Sequence, residues 1–201
     1  MWRDHCRKKK AIYKGWKMTE VRFACIGSRT APAQYLELMR EIGKLIAKGR
    51  DIVVSGNCKG SDQAYSAGAN AINPARVVLH LPWKTYEQKS INELNTIHIG
   101  STSRGLELAE RHHPYWKNLK SPARALLGRN AEIILNSDYV FAYMDTSKKG
   151  GGGTGHGWRI SDELKLEKCN LLDVEFSKEE IHIIAENLYK KALETIKREI
   201  S

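Results

Sequence analysis

The sequence predicts an α/β fold, a Rossmann-like parallel sheet of about five strands with helices on both faces. Short apolar runs alternate with segments of helical period, the connections between them are only a few residues long, and glycines stand directly after several of the runs. Near-continuous apolar strands alternating with helices mark a parallel sheet covered on both faces. Right-handed crossovers then nearly fix the topology.

Val21 to Ile26 is apolar, with β-branched and aromatic members, and ends at Gly27, which suits a buried first strand. After Pro32, the residues Tyr35, Leu36, Met39, Ile42, Leu45 and Ile46 recur at helical spacing, and Gly49 supplies the stop. Asp51 to Ser55 reads as a second strand broken by Gly56, and Ser61-Asp62 opens an Ala-rich helix. Arg76 to Leu81 is the third strand, stopped by Pro82. From about residue 84 to 120 no period is sustained, so an excursion or lid is expected there. Pro122 to Leu135 returns to helical spacing through Ala125, Leu126, Ile133 and Ile134. Tyr139 to Met144 is the fourth strand, followed by glycines and a helix near Trp158 to Leu166. A fifth strand at Asn170 to Val174 and a helix from Lys178 to about Ile200 complete the chain. On that last helix Ile181, Ile184, Leu188 and Leu193 suit either packing on the sheet or a homodimer face.

A chain of 201 residues supports one substantial core. It reads as a basic, disordered extension over residues 1–17 and a single nucleotide-binding domain over 18–201. A hydrophobic fraction of 41% with 28% charged residues excludes disordered and fibrous classes for the whole. No apolar run approaches the roughly 18 to 20 residues that span a bilayer, and the basic start lacks the apolar core of a secretory signal. A cytoplasmic protein with no membrane partner is expected. Cys6, Cys25, Cys58 and Cys169 are far apart and read as reduced, Cys25 in the core and Cys58 in a site loop. His112 and His113 are adjacent without a carboxylate cluster, so no metal site is expected, and no cofactor either. Of the net charge of +10, residues 1–17 supply most, seven basic side chains against Asp4. The remainder shows no basic stripe interleaved with aromatics of the kind that tracks single strands.

Open parallel sheets bind ligands at the carboxyl ends of their strands. Three loops fall there. Gly27-Ser28-Arg29-Thr30 combines a glycine that lets backbone approach a ligand with an arginine able to grip phosphate oxygens. In Ser55-Gly56-Asn57-Cys58-Lys59-Gly60-Ser61-Asp62, Ser55 and Gly56 are expected to turn a hydroxyl and amides to the cleft. Asp62 there either caps the helix or accepts from a ribose hydroxyl. Lys148-Lys149-Gly150-Gly151-Gly152-Gly153-Thr154-Gly155-His156-Gly157 packs six glycines into eight residues, an anion-binding nest reinforced by the following helix. His156 either donates to a phosphate or moves a proton, or simply lies on the loop surface, and Arg129 with Asn130 is the preferred pair for reaching the ligand. Neither a Walker A loop nor a Gly-x-Gly-x-x-Gly turn occurs.

The Gly27-Ser28-Arg29 turn, the Ser55-Gly56-x-x-x-Gly60-x-Asp62 segment and Gly152-Gly153-Thr154-Gly155 resemble the SLOG superfamily. This Rossmannoid group joins the DNA-processing protein DprA (Smf) with the LOG cytokinin-activating enzymes. His113-Pro114-x-Trp116, Ser121-Pro122, Arg124 and Arg129-Asn130 look like the short DprA-like proteins of phages and mobile elements. The resemblance covers roughly residues 20 to 175 and implies a phosphorylated nucleoside as ligand, free or within single-stranded DNA. LOG enzymes remove a base from a nucleoside monophosphate and carry a glutamate shortly after the Gly-Thr pair. Here Gly153-Thr154 is followed by Gly155-His156-Gly157-Trp158-Arg159, without that glutamate. Glu107 or Glu110 either replaces it or lies on a solvated helix face.

The first expectation is therefore a nucleotide-binding protein that senses or processes a small nucleotide. Single-stranded DNA binding in recombination or DNA processing is the second, and a nucleoside monophosphate N-glycosidase the third. The resemblance also implies a homodimer.

Overall fold

The computed structural model describes residues 20–144 and 152–200. In chain order the elements are β1 (Arg22–Gly27), α1 (Ala33–Lys48), β2 (Ile52–Ser55), α2 (Ser61–Asn70), β3 (Val77–Leu81) and β4 (Thr96–Ile99). They continue with α3 (Ser103–Arg111), α4 (Ser121–Leu135), β5 (Tyr139–Tyr143), α5 (Gly152–Glu163), β6 (Glu167–Asn170) and α6 (Ile181–Ile200). The six strands lie in the order β4-β3-β2-β1-β5-β6, and every neighbouring pair is parallel. Strand order reverses at β1, which pairs with β2 on one side and β5 on the other. This is the switch point at which doubly wound sheets open a crevice.

Alternation along β1 builds the two layers. Phe23 and Cys25 face the core shared with α1, α2 and α6, while Ala24 and Ile26 face the core shared with α3, α4 and α5. Phe23 stacks on Phe141 at 5.6 Å and meets the ring of Tyr189 on α6 at 5.7 Å. Ile181, Ile184, Leu188 and Leu193 pack against that same core, so the apolar face of α6 is spent on packing within the chain.

Two elements differ from expectation. A sixth strand, β4, lies inside the expected excursion, together with α3. The four β4 residues Thr96-Ile97-His98-Ile99 do alternate polar and apolar, but over so short a stretch that the alternation does not stand out in the sequence, and all four are exposed at the sheet edge. The final strand ends at Asn170 rather than starting there. The Asn170 carboxamide oxygen accepts from the amides of Met144 and Leu172, which turns the chain out of the sheet.

The helix expected near Trp158 begins instead at Gly152, so the described part of the glycine run is helix and not loop. At Gly157 the helix comes so close to β1 that a Cβ would stand 3.1 Å from Cδ1 of Ile26. Close approach is what the small residue allows. The basic segment of residues 1–17 and Lys148 to Gly151 lie outside the described residues. Among those described, no helix is long and apolar enough to cross a membrane.

Candidate functional site

At the carboxyl ends of β1, β2 and β5 a cleft of about 550 Å³ opens, lined by the loop after β1, the start of α2, one face of α4 and the first residues of α5. That volume lies within the range of small-ligand sites, roughly 300 to 1,000 Å³. Gly27, Ser28, Arg29, Asp62, Arg129, Asn130, Gly152, Gly153 and Thr154 all line it, drawn from segments up to 127 positions apart.

The floor of the cleft is a charged framework. Arg129 is only 2% exposed, and its guanidinium reaches Asp62 Oδ2 at 3.4 Å and Cys58 Sγ at 3.1 Å. Its carbon lies 5.6 Å from the Tyr86 ring centre, and its Nε has no hydrogen-bond partner among the described residues. Burial works against the Arg129 charge, yet Cys58 and Asp62 beside it hold its pKa above the ordinary arginine value. Asp62 accepts from the amides of Gly27 at 3.3 Å and Cys58 at 3.2 Å, and from that of Gly56. Burial pushes its carboxyl up, against the pull of Arg129 and those three amides. Asp62 therefore ties the loops after β1 and β2 to the start of α2. Gly56 packs so tightly on this framework that a Cβ would stand 1.2 Å from an Arg129 nitrogen.

The walls differ in chemistry. Arg29 is exposed at the rim and hydrogen-bonds Cys58, which holds its pKa up. The Ser28 hydroxyl accepts from the Thr30 amide at 3.2 Å, and the Ser28 carbonyl accepts from the Ser61 hydroxyl at 2.8 Å, so the turn is held from both sides. Gly152, Gly153 and Thr154 form the first turn of α5, whose amides have no intrahelical acceptors and whose dipole is positive there. Asn130 anchors that turn by donating to the Gly153 carbonyl at 3.1 Å. Leu119, Ala123, Leu126 and Leu127 add an apolar wall. Two guanidiniums and a helix N-terminus suit an anion, and the leucines suit a flat apolar group beside it.

Five expected residues sit elsewhere. The Ser55 hydroxyl donates to the Cys25 carbonyl at 2.6 Å and is fully buried between β1 and β2, so it does not face the cleft. Gly56 lies beneath Arg129, and Gly60, the residue before α2, packs on the Arg29 backbone. Gly155 is buried in α5. His156 is 1% exposed and does not line the cleft. Its Nε2 donates to the Ala109 carbonyl at 3.0 Å, and burial lowers its pKa to about 4. A side chain at the second turn of a helix points back along its flank, here toward α3.

Thr30, Cys58 and His113, which stand inside motifs singled out in the sequence without being named as ligand residues, also line the cleft, as do the α4 leucines, which no motif marked. Leu126 and Leu127 share the period of the helix core, and a period cannot distinguish a cleft wall from a core. Glu107 and Glu110 do not line it. Among the described residues no group of three or more His, Cys, Asp or Glu gathers to hold a metal ion.

No protein-family model and no curated protein sequence matches this chain. Among solved structures it is similar to DNA processing protein A from Helicobacter pylori, a single-stranded DNA-binding protein. The TM-score is 0.60 and the identity 18%, over 88% of this chain and 82% of that one. DNA processing protein A from Streptococcus pneumoniae also matches, at a TM-score of 0.39 and 14% identity, over 80% of this chain and 64% of that one. In fold, a Rossmann-like parallel α/β sheet, this chain is thus similar to the DNA processing protein A of H. pylori.

Proposed function

We propose that this chain is a DprA-like protein that binds single-stranded DNA, with a backbone phosphate held at the N-terminus of α5 beside Arg29 and above Arg129. One observation carries this reading: two arginines and a helix N-terminus, whose first amides lack intrahelical acceptors, converge on a single cleft at the switch point of the sheet. The apolar wall of Leu126 and Leu127 takes the base or sugar next to that phosphate. Fold likeness to a protein that binds single-stranded DNA favours a polymer over a free nucleotide. A base-removing reaction draws no support from the cleft. Asp62, the acidic side chain lining it among the described residues, is committed to three amides and a guanidinium.

A competition experiment tests this. The full chain is titrated into a fluorescently labelled dT oligonucleotide at several salt concentrations, with nucleoside mono-, di- and triphosphates as competitors. Expected are oligonucleotide binding that weakens with salt, poor competition by free nucleotides, and a loss of about tenfold in affinity for Arg29→Ala with the fold retained. Displacement by micromolar free nucleotide would instead establish the small-nucleotide reading. Unchanged affinity in Arg29→Ala would place the site elsewhere.

A further inference from the structure

Trp83 follows Pro82 at the carboxyl end of β3, on the same edge of the sheet as the cleft. It is 37% exposed, so part of its ring system is open to solvent. Its ring meets that of Tyr86 at 5.3 Å and an interplanar angle of 89°, so Tyr86 covers at most one of its faces. Tyr86 does not line the cleft itself but packs on the framework beneath it, with its hydroxyl 2.9 Å from Cys58 Sγ and its ring beside the Arg129 guanidinium. Trp83 is therefore one side chain removed from the charged framework.

The segment that carries both rings is clamped. Asn57 donates to the Glu87 carbonyl at 2.9 Å and accepts from the Ser90 hydroxyl at 3.0 Å, while Gln63 bonds both the Asn57 carbonyl and Ser90. These bonds fix the stretch after β3 to the loop after β2 and hold the two rings in one geometry. A partly exposed aromatic ring beside a cationic site is an arrangement that stacks a nucleobase, at little entropic cost. The exposed Lys84 next to it adds charge for the strand's backbone.

We infer that Trp83 is a base-stacking platform, which receives the base of a nucleotide adjoining the one whose phosphate sits in the cleft. The inference rests on the single-stranded DNA reading. It supplies the aromatic element that no stripe in the sequence provides.

The test compares wild type, Trp83→Ala and Trp83→Phe on a dT oligonucleotide and on an abasic oligonucleotide of the same length. Circular dichroism and thermal melting establish that both variants fold. Trp83→Ala should weaken dT binding about tenfold and the abasic strand hardly at all, and Trp83→Phe should restore most of the loss. Quenching of tryptophan fluorescence by the dT strand should be largely lost in Trp83→Phe although that variant still binds. Equal loss on both strands assigns Trp83 a structural role and overturns the inference, as does wild-type affinity in Trp83→Ala. If wild type binds no oligonucleotide, the function reading itself falls. If Arg29→Ala weakens binding while Trp83→Ala does not, only the platform falls.

Discussion

Arg29 and Arg129 line the same cleft, but burial gives them different tasks. Arg29, exposed at the rim, is placed to touch a ligand directly. Arg129 is nearly sealed and its charge is set against Asp62, so it supports loops and supplies positive potential from beneath. Both residues stood out as ligand candidates in the sequence. That Asp62 lies against Arg129, 67 positions away, is a property of the fold.

His156 and His80 carry a pH prediction at this same scale. Burial lowers His156 from 6.5 to about 4 and His80 from 6.5 to about 3. Both are bases with depressed pKa in the folded state, so unfolding takes up protons between the folded and unfolded values. Their contribution to stability is complete above about pH 6.5 and declines as pH falls toward 4 for His156 and toward 3 for His80. Urea midpoints measured from pH 7 to pH 5, above the range in which most carboxylates titrate, should therefore fall with pH. The fall should be shallower in His156→Gln. Parallel pH profiles for the two proteins would contradict the assignment.

Among the elements, α3 shows how a segment without clear periodicity becomes ordered. Its N-cap Thr102 accepts from the Gly105 amide at 3.1 Å, and the Thr102 amide and hydroxyl both donate to Glu132 Oε1 on α4 at 2.6 Å. Glu132 is buried. Its removal breaks two hydrogen bonds to Thr102, an exposed residue whose donors then turn to water, at a net cost of about 0.5 to 1.5 kcal/mol for each bond. Glu132→Ala should lower the urea midpoint accordingly and speed amide exchange in residues 103–111 ahead of the rest of the molecule. Wild-type exchange there would show that α3 is held by other contacts.

The elements also show where the sequence was legible. Residues of α1 repeat at helical spacing up to Lys48 and stop at Gly49, because one face of that helix packs on the core along its whole length. Strand β4 alternates over only four exposed residues and α5 opens on glycines, so neither presents a pattern long enough to read.

For the whole molecule, charge and site separate. Residues 1–17 hold seven basic side chains and one acid, whereas the cleft is built from the body of the chain. Deleting residues 1–17 should make the dependence of oligonucleotide affinity on salt shallower, since fewer counterions are released. The tenfold loss in Arg29→Ala should persist in the shortened chain. If the truncation abolishes binding outright, the basic segment and not the cleft is the binding site.

What the sequence by itself determined was the α/β class, the parallel sheet and the placing of glycine-rich turns at one edge of it. Those follow from hydrophobic period and strand-end punctuation, which are local. Only the tertiary structure decided which residues at that edge meet. It joined Arg129 to Asp62 and Cys58, set Tyr86 and Trp83 beside them, and turned Ser55 and His156 into the interior. Such pairings depend on satisfying buried polar groups with partners distant in the chain, and that requirement leaves no periodic trace in the sequence.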